Sequence, residues 1–339
     1  MAESLPPALQ PPVAVALAKL VKTFPGPNAL PGGLNAEPKW DGFRTTAFND
    51  GGTVTLWSRQ GKELTRILPD AAAALAEQLP PGVVLDGEAV IWNRGRLDFD
   101  ALQRRTVTSR AALPAVANEL PASFVAFDVL AVAGQDTRTV PFSGRRQLLE
   151  ELARDWAAPL HLSPITTDVD LAKTWLRDLP ATGIEGLVFK GGAQPYEAAR
   201  IWLKLKHKDV WDVVCAAVIG PVSQPQAIIA GLPIGGELKI VGRSRVLSTK
   251  VGRELGRYLH AAGHGHPWPE EIGESSLNRF SKDKGPVRLT LVEPFVVEIS
   301  ADVAWSGTSF RHPVGYRRSR PELDPGDVSV PPELNNRHR

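Results

Sequence analysis

The chain has 339 residues, 43% hydrophobic and 22% charged, with 39 basic against 37 acidic side chains and a net charge of +2. That length predicts two domains with ample core, and the composition excludes fibrous and strongly disordered chains. A net charge of +2 demonstrates no global electrostatic attraction to nucleic acid, so positive charge for such a partner has to be local. The only cysteine, Cys215, lies in the apolar run 213–219 and reads as a buried thiol; without a disulfide framework, a reducing compartment is expected. There is no run of 18 apolar residues, and residues 1–13 lack the basic flank and apolar core of a signal peptide, which predicts a cytoplasmic chain with no membrane partner.

Residues 1–36 are rich in proline, glycine and alanine, and 13–22 are predicted as a short surface helix before the turn signals Pro25-Gly26 and Pro31-Gly32-Gly33. Two β-like stretches, 43–48 and 53–58, flank the hairpin turn Asn49-Asp50-Gly51-Gly52. A helix over 71–79 is stopped by Pro80-Pro81-Gly82, and a strand over 83–92 is interrupted at Asp86-Gly87-Glu88. A strand over 124–129, helices over 145–156 and 169–179, and strands over 186–190 and 201–205 follow. The mixed order, with no βαβ repeat and no G-x-G-x-x-G, argues against a dinucleotide-binding domain. Composition shifts at residues 204–209, and β-like segments at 211–219, 236–241 and 289–299, with a helix over 250–261, suit a small, partly open OB-type barrel. The boundary is placed near residue 207. The tail beyond Arg320 is expected to be poorly ordered.

The segment Glu37-Pro38-Lys39-Trp40-Asp41-Gly42-Phe43-Arg44 concentrates charge on a loop entering the sheet. A lysine becomes nucleophilic when neighbouring cations or desolvation lower its pKa, and Arg44, Lys204 or Lys206 are candidate neighbours. Taken alone, the string also suits an ordinary solvated loop lysine.

Lys39-Trp40-Asp41-Gly42 resembles motif I of the covalent nucleotidyltransferases, the superfamily of ATP-dependent DNA ligases, RNA ligases and capping enzymes. Further stretches are similar to the other motifs in order: Ser58-Arg59-Gln60-Gly61, Asp86-Gly87-Glu88, 124–128, 185–190, Trp202-Leu203-Lys204-Leu205-Lys206, and the basic run 310–320. Together they span nearly the whole chain. The resemblance implies an α+β fold with antiparallel sheets and helices: a nucleotidyltransferase (adenylation) domain over 1–207, an OB-fold β-barrel domain over 208–325, and a flexible tail over 326–339.

It also implies site roles. Lys39 accepts AMP from ATP, Glu37 reads the adenine edge, Glu88 holds the ribose, and Arg44 and Arg59 face ribose or phosphate. Phe127 is the favoured ring on adenine, with Phe124 as alternative. Glu185 binds Mg²⁺, with Mn²⁺ as a substitute, Lys204 and Lys206 contact the α-phosphate, and Arg311 with Arg317 or Arg318 meets the pyrophosphate. Asp41 orients Lys39 or approaches the ribose or a metal-bound water; Asp86 and Asp128 suit turn caps equally well.

The subgroup most similar is the small bacterial C-type ligases related to end-joining ligase domains, on the strength of 295–299 and 309–313. The implied partner is nicked or broken duplex DNA, gripped through phosphates, with DNA end-bridging or repair proteins supplying further affinity, and a monomer is the default expectation. Local positive charge lies in Lys204/Lys206/Lys208, Lys282/Lys284/Arg288 and Arg311/Arg317/Arg318/Arg320, and Gly242-Arg243-Ser244-Arg245 is a candidate remnant of a basic groove-entering loop. RNA ligase, a GTP-dependent capping enzyme and a non-enzymatic OB-type nucleic-acid-binding protein are the competing readings.

Overall fold

The computed structural model describes residues 4–263, 265–277, 285–302 and 305–331, and the chain separates into two compact units, Met1–His207 and Lys208–Arg339. Among the described residues no helix is long and apolar enough to cross a membrane.

The first unit runs β1 (Ala18–Leu20), β2 (Leu34–Pro38), β3 (Phe43–Asp50), β4 (Thr53–Ser58), α1 (Pro69–Gln78), β5 (Val83–Asn93), β6 (Arg96–Leu97), α2 (Phe99–Val107), α3 (Leu113–Glu119), β7 (Ala122–Val132), β8 (Gln135–Asp136), α4 (Phe142–Leu152), β9 (Leu160–Leu162), α5 (Val169–Asp178), β10 (Gly186–Gly191) and β11 (Trp202–Lys206). Its larger sheet has the order β4-β3-β5-β7-β8, with β6 on β5 and β9 on β7; its smaller sheet has the order β1-β11-β10-β2. The hairpin β3–β4 turns where expected, on Gly51 and Gly52 at φ 58° and 95°. Segment 13–22 is not a helix. Its alanines and leucines gave a helical composition, but Ala18–Leu20 pairs in parallel with β11, a long-range backbone interaction that overrides local propensity.

The two sheets are separate layers. Helices α1, α2 and α4 cover one face of the larger sheet, packing Leu75, Leu102 and Leu149 against Leu56, Leu85 and Phe124. Its other face meets the smaller sheet through Phe48, Val84, Phe127, Tyr196 and Trp202, and α5 covers the far side of the smaller sheet at Leu187, Phe189 and Leu205. The period-2 alternation of a strand thus sends Val188 and Lys190 of β10 and Trp202 and Lys204 of β11 toward the space between the sheets. Phe189, unusual for its motif, is fully buried with its ring edge-on to Phe24.

Charges are buried between the layers in pairs. Arg145 of α4 and Asp128 of β7 are both fully enclosed and linked at 2.7 and 3.1 Å, while Arg44 donates to Asp86 of β5 at 3.0 and 2.6 Å. Asp86 and Asp128 are therefore strand residues that take a guanidinium each, rather than turn caps.

The second unit is built on β12 (Asp209–Ile219), β13 (Ala227–Ile234), β14 (Glu237–Arg243), α6 (Thr249–Gly256), β15 (Glu271–Gly273), α7 (Glu274–Leu277), β16 (Pro286–Arg288), β17 (Thr290–Ala301), β18 (Trp305–Ser306), β19 (Ser309–Phe310) and β20 (Gly315–Ser319). Five of them form an antiparallel sheet β14-β13-β12-β17-β20, bent by register shifts at Cys215/Ala217, Ala230/Gly231 and Glu298/Ile299. Its two edges meet: Ser244 bridges Val314, with Arg245 N donating to Val314 O at 2.8 Å and Val314 N to Arg243 O at 2.9 Å, so the sheet closes into a barrel.

That seam corrects the expected basic loop, since Ser244 is buried in it and Arg243 pairs with Glu274 at 2.9 Å. The tail is corrected in part as well. Val328 is buried in the barrel core, with Leu323 and Val330 packed on it, because the chain still carries apolar side chains there; residues 332–339 lie outside the described residues. Lys282 and Lys284 also lie outside them.

Removing one partner of a buried ion pair strands the other. Asp128→Ala, which strands Arg145, is expected to cost about 3–5 kcal/mol in urea unfolding of the first unit; a loss below about 1 kcal/mol would show that the pair carries little of the layer contact.

Candidate active site

A cavity of about 600 Å³ opens between the two sheets of the first unit, a size suited to a small-molecule ligand. Lys39 lies one residue beyond β2, where the chain leaves the smaller sheet for the larger. Its N–H donates to Gly186 O at 2.8 Å, and its carbonyl accepts from Glu185 N at 3.0 Å. Two glycines permit this crossing: a Cβ on Gly42 would stand 2.1 Å from Ala89 O, and one on Gly186, at φ +143°, 2.1 Å from Leu205 O. The nucleophile candidate is thus stitched to β10 rather than loosely held in a loop.

Seven of the sequence-predicted residues line the cavity: Glu37, Lys39, Arg44, Arg59, Glu88, Phe127 and Lys204. Glu185 and Lys206 stand just behind it. The Lys39 ammonium pairs with the Glu185 carboxylate, and Lys206 Nζ lies 3.5 Å from the same oxygen. Asp41 follows at the chain crossing, close enough to act on the charge of both Lys39 and Glu88. Arg311 and Arg317 belong to the second unit: Arg311 is buried there, and Arg317 on β20 pairs with Glu298 at 3.2 Å. Phe124 is fully enclosed among the helices' side chains, whereas Phe127 reaches the cavity. Strand alternation sets the two rings on opposite faces, Ala122, Phe124 and Ala126 toward the helices and Phe127 toward the smaller sheet, and a bulge follows, with Asp86 pairing Asp128 and Gly87 pairing Ala126.

The electrostatics correct one expectation. Lys39 was expected to have its pKa lowered by neighbouring cations. Burial does pull it down, but Glu185, aided by Glu88 and Asp41, outweighs that and holds the amine above its ordinary value. The lowered lysine is Lys204, through burial and the charges of Lys39 and Lys206. Burial pushes the Glu88 carboxyl up to about 8 against the pull of Lys39 and Arg44, and pushes Glu37 up against Lys190. At neutral pH Glu88 is a neutral acid that can donate as well as accept.

Sequence reasoning missed four contributors. Lys190 is almost fully buried, 3.1 Å from Glu37 and 4.5 Å from the centre of the Trp202 ring. Trp202 forms a cavity wall with Arg44 stacked at 5.1 Å, and Tyr196 donates its hydroxyl to Asp86 at 2.6 Å. Arg200 stands at the mouth. Lys190 and Trp202 fall inside recognised motif strings, so the signal was present without a role attached; Tyr196 and Arg200 had none.

An α+β unit with a cavity between two antiparallel sheets, followed by a barrel of the OB type, defines the two-domain architecture of an adenylation domain and an OB-fold domain. The family model described as ATP dependent DNA ligase domain matches residues 13–206. The chain is 32% identical over 338 residues to DNA ligase C2 of Mycolicibacterium smegmatis, covering 93% of this chain and 92% of the relative. It is likewise 32% identical over 342 residues to DNA ligase C of Mycobacterium tuberculosis, covering 95% and 93%. A solved structure from a study of the minimal Lig E DNA ligases shares the fold at TM-score 0.51 and 17% identity, over 91% of this chain and 100% of that one. The chain belongs to the ATP-dependent DNA ligase family.

Because the folded-state pKa of Glu88 is raised from 4.5 to about 8, its proton stabilises the fold fully below pH 4.5, and that contribution is lost as pH rises to about 8. Glu88→Gln cannot lose it. The melting temperature of Glu88→Gln relative to the parent is therefore expected to climb by about 5 °C between pH 5 and pH 8.5 and then level off; a difference that does not change with pH would contradict the raised pKa.

Proposed function

We propose that Lys39 is the lysine that carries AMP in this ATP-dependent ligase, and that the enzyme uses the adduct to seal 5′-phosphate/3′-hydroxyl breaks in duplex DNA during repair or end joining. The observation that carries the reading is the position of Lys39: at the cavity wall, bonded through its backbone to Glu185 and Gly186, with Lys204 lining the same cavity. Before reaction Lys39 leaves Glu185 and loses a proton to solvent. Its nitrogen lone pair then attacks the α-phosphorus of ATP, and the bond to the β-phosphate breaks with its electron pair departing on pyrophosphate. AMP next passes to a 5′-phosphate, and a 3′-hydroxyl displaces it to form the phosphodiester.

Each neighbour serves that sequence. Phe127 and Trp202 supply aromatic surface for the base, Glu37 accepts from the adenine amino group, and neutral Glu88 donates to the ribose. Arg44, clamped by Asp86, presents a fixed positive edge, and Arg59 with Lys204 faces the phosphates. Asp41 keeps Lys39 oriented. Among the described residues no cluster of three or more metal-ligating side chains exists; Glu185 is the carboxylate that would hold a divalent ion, and a hard oxygen donor would suit Mg²⁺, with Mn²⁺ able to replace it. When bound, the ion offsets charge on the phosphoryl oxygens.

Arg311 and Arg317 of the barrel serve the leaving pyrophosphate, while Lys204, Lys206, Lys208, Arg318 and Arg320 supply phosphate contacts to DNA. We place the enzyme in the cytoplasm with the DNA it mends, acting as a monomer alongside end-bridging or repair proteins.

Incubated with ATP and Mg²⁺, the full chain should gain the mass of AMP at Lys39; Lys39→Ala should gain none and seal a DNA nick only at background. Adduct formed at another residue, a GMP adduct preferred over AMP, or sealing of RNA in preference to DNA would each redirect the assignment. Arg317→Ala should slow adduct formation about a hundredfold yet slow sealing of a pre-adenylylated nick by less than about tenfold. Equal effects on both steps would remove Arg317 from the pyrophosphate role.

A further inference from the structure

The proposed roles leave two charged residues of the cavity lining unaccounted for, the exposed Arg200 and the buried Lys190. Lys190 is 1% exposed, and its ammonium lies 3.1 Å from Glu37 Oε1, donates to Phe127 O at 2.5 Å and lies 3.8 Å from Asp128 Oδ2. Three rings surround it, with centres at 4.5 Å for Trp202, 4.7 Å for Phe127 and 4.8 Å for Phe142. It therefore touches both groups assigned to the nucleobase, the acceptor and the ring, while itself lining the cavity. Glu37 Oε1 is buried, and the Lys190 ammonium, 3.1 Å away, offsets its charge.

We propose that Lys190 is the positioning residue of the nucleobase subsite: it fixes the Glu37 carboxylate and the Phe127 backbone relative to one another and thereby sets the preference for adenine over guanine. The inference rests on the reading of Glu37 as the adenine contact. An ionised carboxylate only accepts hydrogen bonds, which matches the amino group of adenine and repels the carbonyl oxygen at the same position of guanine. A neutral carboxylic acid in that place donates and so accommodates guanine. The charged groups acting on Glu37 are Lys190 from β10, Arg146 from α4 and Asp128 from β7, and burial already raises the carboxyl. Lys190 is the strongest of the charges opposing protonation, so removing it converts the reader of adenine into a group that no longer discriminates.

The test follows lysine adduct formation in the full chain with labelled ATP and GTP across pH 6 to 8.5. Lys190→Met should raise the KM for ATP about tenfold or more while changing the maximal rate less than about threefold. The ATP-to-GTP preference should fall by a similar factor and most strongly at low pH, and Lys190→Arg should recover part of it. In a Glu37→Gln background, adding Lys190→Met should change KM and preference by less than about threefold, because the residue acts through the carboxylate; this double variant carries no stranded charge and keeps the test available if Lys190→Met does not fold.

A full further loss in the Glu37→Gln background overturns the proposal, as does Lys190→Met with unchanged KM and preference. Glu37→Gln without effect on either quantity would overturn the reading of Glu37 itself. An effect of Glu37→Gln together with an inert Lys190→Met would overturn the positioning role alone.

Discussion

A lysine kept as an ion pair is the constraint around which the cavity is built. Lys39 and Glu185 are brought together by backbone bonds in both directions between the end of β2 and the start of β10, so the ammonium meets its carboxylate without any search by flexible side chains. In that state the amine is protected from adventitious chemistry, since a protonated lysine does not attack. The same carboxylate also lies 3.5 Å from Lys206, so when it turns to another cation a positive charge remains beside the freed amine. Loss of the Glu185 partner removes the interaction that raises the lysine's pKa and exposes the effect of burial, which lowers it.

Rigidity of the cavity walls follows from where the layers hide their charges. Arg44 bridges Asp86 below and the faces of Phe127 and Trp202 above, and Tyr196 completes Asp86. Arg145 does the same for Asp128 from the helical side. Desolvating such groups costs more than an apolar contact of equal size would, so these pairs are poor instruments of stability. What they supply is fixed geometry: each guanidinium fork admits one arrangement, and the rings and carboxylates around the cavity inherit it.

The legible parts of the sequence were those where local chemistry and tertiary structure agree. The turn Asn49-Asp50-Gly51-Gly52 dictates its hairpin wherever it is placed, and the family motifs marked the cavity because backbone and side-chain chemistry coincide there. Helix α2 escaped notice because its buried face is Ala101, Leu102 and Arg105; an arginine satisfied by Asp70 breaks the apolar periodicity. Strand β13 escaped because it is buried almost throughout, which removes the alternation, and because it contains Gly231 and Pro233. The bulge of β7 at Phe127 depends on pairing between β5 and β7, and the raised pKa of Lys39 depends on a residue 146 positions away. Neither is written in any window of the chain.

The charges around the cavity are ordered by depth, and this order says what the site can do unaided. Deep cations are already committed: Arg44 to Asp86, Lys190 to Glu37 and Asp128, Lys39 to Glu185. The cations at the outer mouth, Arg59, Arg200 and Lys204, are exposed or half-buried, and there solvent weakens each contact. The cavity's deep charge contacts are therefore well formed and its outer ones weak. On the barrel, Arg317 and Arg318 of β20 and the adjoining Arg320 all reach Glu298 within 3.4 Å, and Arg320 also pairs with Asp212 at 2.8 Å and with Glu322 at 2.6 Å, so these cations too are held by carboxylates, at the solvent-exposed surface. The deep pairs therefore fix geometry, while the surface pairs, weakened by solvent, leave their arginines able to exchange partners.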